Sequence, residues 1–374
     1  MEWNSIWGYC QIDYQSWPSK IQSDIQRITI VNNHDFSSIR MKFANLYGME
    51  PIIFSKVSIR NLSASLDQSK EVTVLGSERV NLLPGSRLIS DPIYLHANPG
   101  DVLQIETILA EPVEINGGIV TYSRRVTEVT NFDNDRLVLQ KNLFKMVHEN
   151  NRMQFIYGIE ELLIPHDSQQ TKIVFFGDSL VHQGFIVDQL TLRFLKTQKW
   201  NTSIINKGIG GSRILFGTDK NSDDYNRHGQ SGLLRFEKDL YTSGPKEIII
   251  VLHGINDILT TQYNNATEII NGLKMYKEIA HVHHSKVMIC TLMPFGNSQF
   301  YSPALDEIRQ EVNDWIRSSV ATDDYFDLDK MVRDPLRPNC LDRNYDTGDG
   351  LHLNESGGRH IAKSMELNQI FEES

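Results

Sequence analysis

The sequence predicts two folded halves, an antiparallel β-sandwich followed by an α/β domain built on a doubly wound parallel sheet. Three observations predict it. From Asp24 to about Val126 apolar and polar residues alternate in short runs. After about Lys172 compact apolar runs alternate with helical stretches instead. At 374 residues and 40% hydrophobic composition, the chain is also long enough to bury two cores of ordinary size.

The first half carries the runs IQRITIV, SSIRMKFA, IIFSKVSIRN, EVTVLG, DVLQIETIL and IVTYSRRVT, separated by turn residues such as Asn32, Asn33, Pro84, Gly85, Pro99 and Gly100. Alternation with period two marks half-buried strands, and several at this spacing fit a sandwich. From Thr127 to Thr171 the reading is a polar, helical piece, NDRLVLQKNLFKMVHENNR, then a strand, MQFIYGIEELLI, then the turn PHDSQQT. The boundary is placed there, giving an accessory domain over 1–166 and a catalytic domain over 167–374.

In the second half IVFF, SIIN, EIIIVL, KVMICTL and DYFDL are near-continuous apolar runs, as expected of five strands covered on both faces. Two of the intervening helices can be drawn in detail. Ser302 caps a helix whose first residue is Pro303, with Leu305, Ile308, Val312 and Trp315 as its apolar stripe. Ile269, Leu273, Tyr276 and Ala280 form the stripe of the other.

A net charge of -10 offers no basic footprint for nucleic acid or an anionic membrane. The N-terminus lacks the pattern of a secretory signal, and no run approaches the roughly 20 apolar residues that span a bilayer. Cys10, Cys290 and Cys340 are an odd, scattered set that suits a reducing compartment. The expectation is therefore a cytoplasmic protein, with a homo-oligomer compatible with everything in the sequence.

Four segments carry chemistry. In KIVFFGDSLVHQG a strand runs into Gly177-Asp178-Ser179-Leu180 and a helix, so Ser179 sits at the carboxyl edge of the sheet, as a nucleophile or as a helix cap. In IINKGIGGSRI the glycines 208, 210 and 211 follow the second strand, as backbone donors to a reacting oxygen, as a phosphate cradle, or as a tight turn. In IIIVLHGINDI, Asn256 and Asp257 end the third strand, as an amide donor or as a turn. In YDTGDGLHLNESG, Asp349 and His352 lie three apart before a helix, a spacing that lets both point toward one nucleophile. Each segment alone is ambiguous, and an isolated Asp-x-x-His is usually incidental.

In this order, each at a strand end or before the last helix, the four resemble the motif blocks of the SGNH hydrolases, also called GDSL esterases. The resemblance runs from Lys172 to the end, about 200 residues. It implies a flavodoxin-like sheet and a cofactor-free serine esterase. Ser179 is then the nucleophile, His352 the base and Asp349 the acid. The backbone N–H groups of Ser179 and Gly211 and the Asn256 amide form the oxyanion hole. The pieces SSIRMKFANLYGMEPIIFSKVSIRN, LISDPIYL, TLMPFG, YSPALDEIRQEVNDWIR and RDPLRP are similar to two-domain bacterial members with a jelly-roll-like N-terminal sandwich, among them saccharide deacetylases. The implied substrate is a short acyl ester of a saccharide or other polar alcohol. An acyltransferase using the same acyl-enzyme is the alternative, and a saccharide-binding protein with an inactive catalytic half is the reading from another class. His253 departs from the family, where many relatives carry a carboxylate, and would alter the pocket rim.

Other residues are set aside. His281, His283 and His284 end a helix without an evident carboxylate partner for a metal site. Asp178 and Asp257 are assigned to hydrogen bonds that hold the motif loops. His182 points away from or across the pocket mouth. The loop from Ser212 to Gln230 offers Arg213, Arg227 and His228 to a substrate rim, or is simply solvated.

Overall fold

The run IQRITIV forms a strand over Ile25–Val31 in the computed structural model, which describes residues 2–15, 18–21, 25–65, 69–122, 124–131, 154–167, 170–217, 228–241, 247–260, 265–318 and 324–371. Its alternate residues are buried, Ile28 facing Ile105 and Ile30 facing Leu103 on the antiparallel strand Val102–Leu109. That strand pairs on its other side with Ile52–Asn61, and Thr127–Asn131 and Lys70–Glu71 extend the sheet at either end. A second antiparallel sheet orders Trp3–Gly8, Gly158–Pro165, Phe36–Asn45 and Ile93–Ala97, with Ser86–Ile89 also on Phe36–Asn45. Phe43 of this sheet approaches Phe54 of the first at 6.4 Å between ring centres, and Phe54 stacks on Tyr157 at 6.2 Å. The two sheets thus share one aromatic core, the arrangement of a β-sandwich.

Some elements differ from the pattern reading. MQFIYGIEELLI divides into Gln154–Ile156 and Gly158–Pro165 at Gly158, whose φ of +73° breaks an extended chain. The run IVTYSRRVT likewise contributes to two strands, Gly117–Thr121 and Thr127–Asn131. Trp3–Gly8 is a strand that pattern alone did not mark, registered through Ser5 opposite Leu163. Glu160 and Glu161 are buried in the sandwich because Lys42 and Arg87 neutralise them, Arg87 Nε lying 2.7 Å from Glu160 and Lys42 Nζ 3.3 Å from Glu161. The polar piece NDRLVLQKNLFKMVHENNR lies outside the described residues.

The parallel sheet comprises β1 (Thr171–Gly177), β2 (Thr202–Gly208), β3 (Glu247–Leu252), β4 (Lys286–Cys290) and β5 (Asp324–Phe326), in the order β2-β1-β3-β4-β5. The pairs β1–β3, β3–β4 and β4–β5 are parallel. This is a flavodoxin-like order, and its direction of winding reverses between β1 and β3, where such sheets open a crevice at their carboxyl ends. Gly177 and Leu252, the last residues of those strands, are directly in register. The segments that leave β1 and β3 therefore emerge side by side.

Helices α1 (Ser179–His182), α2 (Phe185–Lys196), α3 (Gly232–Leu240), α4 (Ile255–Leu259), α5 (Ala266–Val282), α6 (Pro303–Arg317), α7 (Leu328–Val332), α8 (Glu355–Ser364) and α9 (Leu367–Phe371) alternate with these strands or come after them. On α5 the stripe Ile269, Leu273, Tyr276 and Ala280 is buried as its spacing predicts, and Asn265 caps the first turn. On α6 the cap is Ser302, but the fully buried face is Asp306, Arg309, Val312, Asn313 and Ile316, while Leu305, Ile308 and Trp315 are only half-buried. The reason is electrostatic. Arg309 bridges Asp306 and Asp329 at 2.7 and 2.9 Å, and Asn313 bonds both backbone groups of Leu292 just beyond β4, so the polar residues saturate one another underneath the helix.

By contacts the chain divides into two compact units. One runs to Thr171 and takes in Phe194–Ile205, and the other holds the rest of the described residues from Lys172 onward. No helix of the described residues is long and apolar enough to cross a membrane.

Candidate active site

Ser179 opens α1 directly after β1, and the cap of that helix is Asp178, whose Oδ1 accepts the Leu180 N–H at 3.1 Å. The capping role is thus filled by the aspartate, and the serine hydroxyl is engaged elsewhere. Asp178 is 1% exposed, and burial pushes its carboxyl up to about 7. A carboxyl whose proton is held more tightly in the folded state costs stability as pH rises from its unfolded value near 3.8 through about 7. Asp178→Asn retains a capping oxygen without the titration. Its thermal midpoint is expected to exceed the wild type's at pH 8, with the margin shrinking toward pH 4. Equal margins at both pH values would show that this carboxyl does not titrate with folding.

The Ser179 Oγ lies 2.8 Å from His352 Nε2, and His352 Nδ1 lies 2.6 Å from Asp349 Oδ2. Because a carboxylate faces Nδ1, that nitrogen carries the proton and Nε2 is left to accept the serine hydroxyl. The local sequence explains how one short loop presents both groups. Asp346 and Leu353 bridge across its base, Asp346 Oδ1 accepts the N–H of Gly348 and Gly350, and Asn354 caps α8 through the Gly357 N–H. Asp349 Oδ1 accepts the N–H groups of Leu351 and His352 at 3.0 and 2.8 Å. Partial burial raises the Asp349 pKa, but the hydrogen bonds and charge of His352 outweigh it and hold the carboxyl well below the usual range. Asp349 remains ionised, as the partner of an imidazole must.

After β2 the chain turns sharply. The Ser212 N–H donates to the Ile209 carbonyl at 3.1 Å, with Gly210 and Gly211 at the two central positions and Gly211 at φ +75°. Gly208 passes so close to the α1 backbone that a Cβ there would meet the His182 nitrogen. A Cβ on Gly210 would lie 3.9 Å from Ser179 Cβ, so the turn abuts the serine. From the adjacent β3 end, the half-buried Asn256 donates Nδ2–H to the Ser212 carbonyl at 3.0 Å. Asp257 is fully buried and accepts the N–H groups of Ile214 and Leu215 at 2.8 and 3.0 Å; burial pushes its carboxyl up to about 6. Asp257 thereby ties the chain after the glycine turn to the end of β3. Ser179, His352, Asp349, Gly211 and Asn256 are thus linked by hydrogen bonds and contacts into one neighbourhood.

Residues 175–360 match the family described as GDSL-like lipase/acylhydrolase. Over that stretch the chain is a member of the GDSL-like lipase/acylhydrolase family. No curated protein matches the sequence. Among solved structures the chain is similar to a GDSL-like lipase from Bacteroides thetaiotaomicron, 20% identical over 53% of this chain and 87% of that one, with a TM-score of 0.39. It is similar also to a carbohydrate acetylesterase from Sinorhizobium meliloti, at 15% identity, 52% and 95% coverage and a TM-score of 0.39. A third likeness is to the aryl esterase of M. smegmatis, at 16% identity, 52% and 95% coverage and a TM-score of 0.39. Membership of the family makes this half of the chain a carboxylic ester hydrolase.

The other described candidates of the acylhydrolase domain are engaged with partners of their own. His253 is 1% exposed, so it cannot shape a pocket rim. Its Nδ1 lies 3.0 Å from the Tyr276 hydroxyl, in an aromatic core with Phe176 and Phe236, and burial pushes its pKa down to about 3. A neutral imidazole with a phenol partner occupies this buried position without bringing a charge into it. His182 is buried and accepts the Gly210 N–H at 3.1 Å. His283 pairs with Glu237 at 2.8 Å and stacks on Tyr241, a carboxylate contact between α3 and the end of α5 that sequence separation concealed. Arg213 folds over the Phe216 ring and donates to the Gly217 carbonyl at 2.8 Å, and Arg227 lies outside the described residues. His228 contacts Gly210, a bond that no sequence pattern signalled.

Proposed function

We propose that the acylhydrolase domain is a serine esterase in which Ser179, His352 and Asp349 form the catalytic triad and the N–H groups of Ser179 and Gly211 and the Asn256 amide form the oxyanion hole. The observation that carries this reading is the continuous hydrogen-bonded line from the Ser179 hydroxyl through both ring nitrogens of His352 to Asp349. Ser179 Oγ attacks the ester carbonyl carbon while its proton passes to His352 Nε2, and Asp349 stabilises the imidazolium. The carbonyl oxygen becomes an oxyanion held by the three donors. His352 returns the proton to the leaving alcohol oxygen, the C–O bond breaks, and an acyl-enzyme remains. Water then attacks with His352 as base, and the acid leaves with Ser179 restored.

A short acyl group on a polar alcohol is the substrate class this reading favours. Ile255 and Leu351, the neighbours of Asn256 and His352, are buried against Phe295, with Leu259, Tyr301 and Leu305 packed around them. The apolar surface of Ile255 and Leu351, the residues beside the two site groups, is engaged in the core and not offered to a long chain. Asp349 is half-exposed, and Thr347 bonds it at 3.2 Å, so the surface beside His352 is polar on that side. The accessory domain over 1–166 is assigned no chemical step. A panel of esters of graded acyl length, with acetylated sugars included, should give kcat/KM highest for acetyl and falling with length, and release free acid undiminished by added alcohols. A preference for long chains would reject the substrate class. Diversion of the acyl group to an added alcohol would favour a transferase.

A further inference from the structure

Gly210 is held by an imidazole on each side. His182, on α1 three residues after Ser179, accepts the Gly210 N–H at Nδ1, 3.1 Å away. His228 places Nδ1 2.6 Å from the Gly210 carbonyl oxygen; a carbonyl only accepts, so Nδ1–H is the donor. That carbonyl belongs to the same peptide unit as the Gly211 N–H. In a planar peptide the two groups point in opposite directions, so whatever fixes the carbonyl fixes the N–H.

The turn itself cannot fix it. Ile209 to Ser212 is a four-residue turn with a positive φ at its third residue, Gly211, and not at its second, the sign pattern of a type II turn. Type I and type II turns differ by a flip of the central peptide, and glycine at both central positions makes either accessible at little cost. In the flipped form the carbonyl would take the place of the N–H and turn a dipole of the wrong sign toward the oxyanion. A Cβ added to Gly211 would collide with the His228 ring, so the imidazole lies directly against the turn.

We propose that His228 is a positioning residue for the oxyanion hole: its Nδ1–H bond to the Gly210 carbonyl locks the Gly210–Gly211 peptide with its N–H toward the Ser179 side. The inference rests on the esterase reading of Ser179 and His352. His228 acts through this peptide and not on the reacting atoms. Both the neutral Nδ1–H tautomer and the imidazolium donate this bond.

The test uses the full-length chain with His228→Leu and His228→Asn, the asparagine amide being able to reach the place of Nδ1. Loss of one hydrogen bond of this kind is worth about a tenfold effect. His228→Leu should lower kcat on the best short ester roughly tenfold, with KM nearly unchanged. It should weaken binding of a boronic acid, which forms a tetrahedral adduct on the serine, by the same factor, and His228→Asn should recover most of both. Three results would overturn the proposal: a raised KM with unchanged kcat, which makes His228 a substrate contact; kcat and boronate affinity equal to wild type; or a loss proportional to unfolded protein and not recovered by asparagine. A Ser179→Ala control separates the two levels. If that variant still hydrolyses the ester, the esterase reading fails and takes this inference with it; if it is inactive, the His228 results stand on their own.

Discussion

Ser179→Ala is expected to reduce kcat for ester hydrolysis by on the order of 10⁴ or more, with the fold retained. The hydroxyl is the sole group of the serine side chain that the mechanism uses, and its partner His352 Nε2 is 2.8 Å away. Folding should survive because the start of α1 is capped by Asp178 and not by the serine, and the Asp178 bond to the Leu180 N–H is untouched. Substrate should still bind, so KM or an inhibition constant for a non-hydrolysable analogue should move little. Steady-state kinetics with a thermal melt of the same preparation checks both halves. Full activity in a folded Ser179→Ala enzyme would place the nucleophile elsewhere.

Asn256→Ala is the second large effect. If its amide meets the charge that develops on the carbonyl oxygen, the interaction exists mainly in the transition state. The variant should then lose a factor of roughly 10² to 10³ in kcat, or about 3 to 4 kcal/mol, with little change in KM. The structure adds a second consequence. The same amide donates to the Ser212 carbonyl at 3.0 Å, so alanine also releases one tether of the glycine turn. A stability loss of about 1 kcal/mol is expected from that bond, far smaller than the catalytic loss. Asn256→Asp keeps the shape but turns an acceptor or a charge toward the oxyanion, and should be no more active than alanine. A folded Asn256→Ala enzyme with unchanged kcat would leave the hole to backbone groups alone.

The parts legible in the sequence were those whose physics is local and periodic. The strands of the parallel sheet are near-continuous apolar runs, and the α5 stripe at Ile269, Leu273, Tyr276 and Ala280 needs only a period of 3.6. The α6 face was misread for the opposite reason. Apolar spacing chose Leu305, Ile308 and Trp315, whereas the helix buries Asp306, Arg309 and Asn313 because Arg309 pairs with Asp306 on the same helix and with Asp329 beyond it, and Asn313 bonds Leu292. Trp3–Gly8 was unmarked because its partner strand ends at Pro165, far along the chain. At the site the motif residues and their order were readable, but the contacts that orient them were not. His228 was visible only as one of several polar loop residues, and its bond to Gly210 depends on how that loop returns. His253 looked like a rim substitution by family comparison and is a core residue bonded to Tyr276.

If the reaction passes through an acyl group on Ser179, rapid acid quenching of enzyme mixed with a slow acetyl ester traps it. Intact mass and then peptide mapping should find one acetyl adduct, confined to the peptide containing Ser179 and absent from Ser179→Ala. An adduct on another residue, or undiminished hydrolysis by Ser179→Ala with the adduct missing, would place the nucleophile elsewhere.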